Sequence, residues 1–157
     1  VSEALQQRKS VRAYLDKPVE RSVIEDILNS AKHAPSGVNM QPWEVVVVSG
    51  NKKQEVDELL TRCFDESQPE ALDYQYYPKS WWEPFKSRRK ETGLLMYETL
   101  EIQREEAEKQ RHQWRQNFLA FNAPVVMFVF MDKSLEAGSY MDVGMFIQSV
   151  LLMATEK

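Results

Sequence analysis

The segment Ala34-Pro35-Ser36-Gly37-Val38-Asn39-Met40-Gln41-Pro42-Trp43 constrains the fold more than any other stretch of this chain. It joins a helical pattern to the β-branched run Glu44-Val45-Val46-Val47-Val48, and so sets the order helix, long loop, strand. Pro35 disfavours the helical region at Ala34 and stops the helix. Gly37 lets the backbone come close to something bulky. Pro42 forces an extended exit into a run that reads as a buried strand. Ser36, Asn39 and Gln41 carry donors and acceptors. Two readings fit: an ordinary connection rich in turn formers, or a loop that holds a flat polar ligand.

At 157 residues and 43% hydrophobic content the chain suits one domain with a real core. A net charge of −4 and a pI near 5.3 disfavour a nucleic-acid partner. The single cysteine, Cys63, excludes an intrachain disulfide and a cysteine-cluster zinc site. It follows Val56, Leu59 and Leu60 in a helical pattern and is expected to be a small core residue. No apolar leader is expected at the start of this sequence, and no stretch is expected to approach membrane-spanning length. The expectation is a reducing, soluble compartment, most simply cytoplasm, with no membrane partner. His33 and His112 lack a second ligand at metal spacing, so no metal site is expected. No Gly-x-Ser-x-Gly elbow, Walker loop or Gly-x-Gly-x-x-Gly is present, and bound phosphate would need side chains.

Ser2 to Gln7 reads as a short helix packing through Ala4 and Leu5. Residues 13–19 look extended. Ser22-Val23-Ile24-Glu25 reads as a capping box with Ser22 as N-cap, and Val23, Ile24, Ile27, Leu28 and Ala31 form the apolar face of the helix it opens. After the strand come a turn at Ser49-Gly50-Asn51 and a helix to about Cys63. Residues 64–90, with Tyr74-Gln75-Tyr76-Tyr77-Pro78 and Trp81-Trp82-Glu83-Pro84-Phe85, read as a lid-like excursion. Helices are expected over Glu91–Leu100 and Ile102–Phe121, then a second fully buried strand at Val125–Met131. A last helix from Asp142, its N-cap, to Ala154 is apolar nearly all round and suits a core or a subunit interface.

Arg8, Lys9, Ser10 and Arg12 place two guanidinium groups, an ammonium and a hydroxyl within five residues. That set suits a dianionic phosphate. Arg8 and Arg12 share a face if the first helix runs that far. The alternative is a basic helix end interacting with the macrodipole.

Arg8-Lys9-Ser10-Val11-Arg12-Ala13-Tyr14, followed at this spacing by the 34–43 loop, resembles the FMN-dependent nitroreductase family. So do Tyr76-Tyr77-Pro78, Trp82-Glu83-Pro84-Phe85, Arg88-Arg89, Gly93, Asn117 with Phe121-Asn122-Ala123-Pro124, and the segment from Gly138 to Gln148. Essentially the whole chain is covered. The resemblance implies an α+β fold with a central mixed or antiparallel sheet flanked by helices. It also implies an intertwined homodimer with FMN at the subunit interface, and helix 142–154 in the dimer contact. Arg8, Lys9, Ser10 and Arg12 would hold the phosphate, ribityl chain and pyrimidine edge of FMN. Pro35, Ser36 and Gly37 would lie against the isoalloxazine from the partner subunit, with Asn39 close by and Asn117 as a further polar contact.

The implied activity is ping-pong transfer of hydride from NAD(P)H through flavin N5 to a nitroaromatic, quinone or related acceptor. The cofactor carries that chemistry, so no catalytic side chain is named. Tyr76, Tyr77, Trp81, Trp82 and Phe85 would line the acceptor pocket or pack the excursion onto its own body. Family members continue past the last helix with a glycine turn, another strand and a basic residue, so the chain is expected to be truncated at its C-terminal end. Competing readings are a reductive dehalogenase of the same superfamily, a non-catalytic FMN-binding or storage protein, and a plain phosphate- or nucleotide-binding module.

Overall fold

The computed structural model describes residues 1–68 and 72–157. The chain divides into two compact units, residues 1–58 with 120–157, and residues 59–119.

In the first unit, β1 (Glu44–Ser49) pairs antiparallel with β2 (Val125–Phe130), in a register that sets Glu44 opposite Phe130 and Ser49 opposite Val125. Three α-helices lie wholly within it: α1 (Ser2–Gln7), α2 (Arg21–Ala31) and the twenty-residue α6 (Ala137–Glu156). α6 is the organising element, since α1, α2 and the loop turn at Gly37–Asn39 all pack on it. Ile27 and Ala31 of α2, Ala123 before β2 and Phe146 of α6 are buried. Lys157 pairs with Asp26 at 2.9 Å and ties the end of α6 to α2.

Several local expectations give way here. α1 ends at Gln7, and Arg8 has extended backbone (φ −56, ψ 124), so Arg8 and Arg12 do not share a helical face. Leu5 is exposed, whereas Ala4 is half-buried. α2 begins at Arg21 with Glu20 as N-cap, and no capping box forms, because Glu25 is taken by Arg21 at 2.7 Å. The turn before α3 (Gly50–Asp65) is absorbed into the helix, with Gly50 at φ 53 supplying the left-handed start. Neither strand is fully buried: Val46 and Val47 of β1 and Phe130 of β2 are exposed, and the rest of β2 is half-buried. The N-cap of α6 is Glu136, six residues before the expected Asp142, so Asp142 lies inside the helix. By length and mean hydropathy (1.2) α6 is also long and apolar enough to cross a membrane, contrary to the expectation that no stretch approaches that length. Its buried Asp142 and its packing against α1 and α2 are what a helix of a folded domain shows.

In the second unit, the end of α3 meets α5 (Ala107–Arg115), and α4 (Phe85–Thr99) precedes it. The rings of Phe64 and Phe118 lie 4.8 Å apart. Arg111 sits over Phe64 at 4.6 Å, and Arg115 forks onto both carboxylate oxygens of Asp65 at 3.0 and 3.1 Å. Those bonds hold the Asp65 carboxyl below its ordinary range. Of the helix expected over 102–121 only α5 forms, and the positive φ of Ala120 and Phe121 excludes them from it. Cys63 is half-buried rather than core. Of the 64–90 excursion, residues 72–84 are irregular and largely exposed, residues 85–90 begin α4, and residues 69–71 lie outside the described residues.

Candidate functional site

The site expected around the 34–43 loop is built on α6. Ser36 is extended (φ −148, ψ 152) and starts a single turn of 3₁₀ helix over Gly37–Asn39. Val38, Asn39 and Gln41 then adopt left-handed backbone, with φ of 47, 58 and 51. For a β-branched residue such as Val38 that conformation is an outlier. Val38 is 98% exposed, so no packing of its own compensates within this chain.

What holds this path is a set of polar contacts. The Gln41 amide N–H donates to Ser36 Oγ at 2.9 Å, and Gln41 Nε2 donates to Asn39 Oδ1 at 3.2 Å. The N–H groups of Asn39 and Met40 donate to the Ser36 and Gly37 carbonyls, each at 3.0 Å. Ser36 Oγ and Asn39 Oδ1 accept from inside the loop, leaving the Ser36 O–H and the Asn39 amide N–H groups to donate outward.

Two residues of α6 anchor the loop at its ends. The Gly37 N–H donates to Asp142 Oδ2 at 3.2 Å. Trp43 stacks on Phe146 with ring centroids 4.8 Å apart and planes 11° from parallel. Asp142 and Phe146 are both buried, 7% and 2% exposed. Neither role was read from the sequence. A signal was present: Asp142 is the only charged residue from Ala137 to Thr155. A Cβ added at Gly37 would meet nothing nearer than Asp142 Oδ2 at 3.7 Å, an ordinary contact, so the chain's own packing leaves room for a side chain there.

The basic cluster lies in the irregular segment after α1. Ser10 and Arg12 line the rim of an apolar cavity of about 950 Å³ walled by α2, β2 and α6. Arg12 Nη1 donates to the Ser10 carbonyl at 3.1 Å, and its guanidinium lies 5.8 Å from the centre of the Phe121 ring. Arg8 is half-buried and Lys9 exposed. Pro35 is exposed at the start of the loop. Asn117 belongs to the second unit, where its side-chain amide donates to the Trp114 carbonyl at 2.9 Å. The aromatic excursion forms a cluster of its own: Tyr76 meets Tyr77 edge-on at 4.7 Å, Tyr77 meets Trp81 at 5.6 Å, and Arg89 covers Trp81 at 5.1 Å. Among the described residues no group of three or more His, Cys, Asp or Glu could hold a metal ion.

The model of the nitroreductase family matches residues 5–157. Nitrobenzene nitroreductase of Ectopseudomonas oleovorans is 30% identical over 98% of this chain and 68% of its own length. The 4-nitrobenzoate reductase of Nocardioides sp. is 33% identical over 96% of this chain and 62% of its own length. The chain thus spans about two thirds of these relatives. Among solved structures, the FMN and NADPH-dependent nitroreductase NfnB of Sphigopyxis sp. strain HMH superposes with a TM-score of 0.93 at 36% identity, covering 99% of this chain and 70% of that one. The FMN-dependent NfnB of Mycobacterium smegmatis, solved with NADPH, gives a TM-score of 0.91 at 27% identity, covering 99% and 71%. This chain belongs to the nitroreductase family.

Proposed function

We propose that this protein is an FMN-dependent oxidoreductase that takes reducing equivalents from NAD(P)H and delivers them to a nitroaromatic, quinone or related acceptor. The observation that carries the reading is the loop at 36–41. Three non-glycine residues are held there in left-handed backbone by contacts that over-determine the conformation, and stored strain of this kind clusters at ligand clamps. The named nitroreductases that match almost the whole chain support the same reading.

The residues present fit a flavin mononucleotide by the chemistry of their donors. Arg12 and Ser10, with Arg8 and Lys9 beside them in sequence, supply cations and a hydroxyl for a phosphate and a pyrimidine edge. Pro35, Ser36 and Gly37 offer small side chains and accessible backbone to a flat ring, with the Asn39 amide as a donor beside them. Bound FMN would supply the two-electron redox chemistry between NAD(P)H and the acceptor, so this chain need supply no nucleophile or general base. A cation near the pyrimidine edge favours the anionic reduced form, the part assigned to Arg12 and its neighbours.

The protein is proposed to act as a homodimer in the cytoplasm. Met141, Met145, Ile147 and Leu151 of α6 and Val38 and Met40 of the loop are exposed apolar side chains suited to a second copy. The test is direct. Purified protein should bind FMN, turn yellow, and bleach anaerobically with NADH or NADPH. Failure to take up FMN would sink the enzyme reading, and a bound flavin that neither nicotinamide reduces would favour a binding protein. Arg12→Ala combined with Ser10→Ala should weaken FMN retention while far-UV circular dichroism stays unchanged.

A further inference from the structure

We infer that Asp142 is the positioning residue of the loop at 36–41, fixing through Gly37 the surface that the proposed function offers to the flavin ring. The inference rests on that function for its ligand and on the geometry for its mechanism. Asp142 places a buried carboxylate in the second turn of an apolar helix with no other charge before Glu156. A leucine there would serve packing, and a buried charge is weak evidence of a stabilising role. The carboxylate instead accepts from the Gly37 N–H, the donor at which the loop leaves extended backbone and enters its 3₁₀ turn. The next residue is left-handed at Val38, a path that local preference opposes. Of the loop's hydrogen bonds described above, the one at Gly37 is made to a side chain outside the loop, and Asp142 provides it. One turn further along α6, Phe146 secures Trp43 at the far end. Asp142 touches no reacting atom in this scheme and acts through the loop.

The experiment compares wild type with Asp142→Leu and Asp142→Asn, the latter keeping an acceptor oxygen at the same reach. Readouts are FMN affinity, the visible circular-dichroism band of protein at saturating FMN, and hydrogen exchange of the Gly37 amide without FMN. Asp142→Leu is expected to raise the FMN dissociation constant about tenfold, to change the flavin band, and to speed Gly37 exchange at least about tenfold. Asp142→Asn is expected to stay within about threefold of wild type, with its band retained. Wild-type affinity and band in Asp142→Leu would overturn the inference, and so would an Asn variant as impaired as the Leu variant. If the Leu variant does not fold, exchange in wild type decides: a protected Gly37 amide supports the anchor, and one exchanging at the rate of an open loop overturns it. Wild type that takes up no FMN refutes the proposed function, while the exchange data still judge the anchor.

Discussion

Asp142 and Phe146 stand one helical turn apart on α6 and grip the two ends of one loop, the first through the Gly37 N–H and the second through the Trp43 ring. Residues four apart share a helix face, so a single rigid element sets both attachment points. The loop cannot then move one end relative to the other without disturbing the most buried aromatic residue of the first unit.

Phe146→Ala is the severe test of that arrangement. Phe146 is 2% exposed and contacts Trp43 face to face. Truncating a buried phenylalanine costs about 3–5 kcal/mol, which approaches the whole stability of a domain this size. Urea unfolding should show a large fall in midpoint for Ala and a smaller one for Phe146→Leu, which refills most of the volume.

Ser36→Ala addresses the interior of the loop. Ser36 Oγ accepts the Gln41 N–H at 2.9 Å in a largely exposed setting. Water can replace it, so the expected loss is about 1 kcal/mol. The change should appear as faster amide exchange at Gln41 with no alteration at β1.

The boundaries of the first unit's site were legible where a residue's local chemistry decides its conformation. Pro35, Gly37 and Pro42 bracket the loop, the valine run gives β1, and Ser2–Gln7 is helical as read. Helix starts were not legible at Ser22 and Asp142. Each is a good cap residue in isolation, but Glu25 is claimed by Arg21 and Asp142 by Gly37, and such claims depend on partners that composition does not rank. Burial of the strands was overestimated for a related reason. A valine run says that a strand can be covered on both faces, not that this chain supplies both covers.

Val38→Gly isolates the backbone strain. Val38 is left-handed and almost wholly exposed within one copy, so in protein dilute enough to be monomeric the substitution removes steric cost without removing packing. Left-handed backbone costs a side-chain-bearing residue about 1–2 kcal/mol, and the added flexibility of glycine in the unfolded chain costs about 0.5–1 kcal/mol. The net expectation is a gain of up to about 1 kcal/mol in urea unfolding. A clear loss would mean that the loop is unstrained at Val38.

Gly37→Ala separates ligand from fold. The added Cβ would sit 3.7 Å from Asp142 Oδ2, and Gly37 does not use positive φ, so stability should change by no more than about 1 kcal/mol. Any larger effect on FMN retention would then report a molecule lying against Gly37. Thermal unfolding without FMN and equilibrium dialysis with FMN measure the two quantities separately.

The Asp65–Arg115 fork gives the second unit a pH signature. Arg115 lowers the Asp65 carboxyl chiefly by hydrogen bonding; burial opposes that shift, and the charges of Arg115 and Arg111 add to it. An Asp whose folded value lies below its unfolded value contributes stability that is complete above the unfolded value, about 3.9. That contribution falls away as the pH drops below 3.9 and is gone once it passes the folded value. The pair is solvent-exposed, so the effect is modest and weakened by salt. Urea midpoints taken from pH 5 to pH 2.5 should fall more steeply for wild type than for Asp65→Asn, which holds no titrating proton at that position. Identical slopes would mean that the fork does not persist in solution.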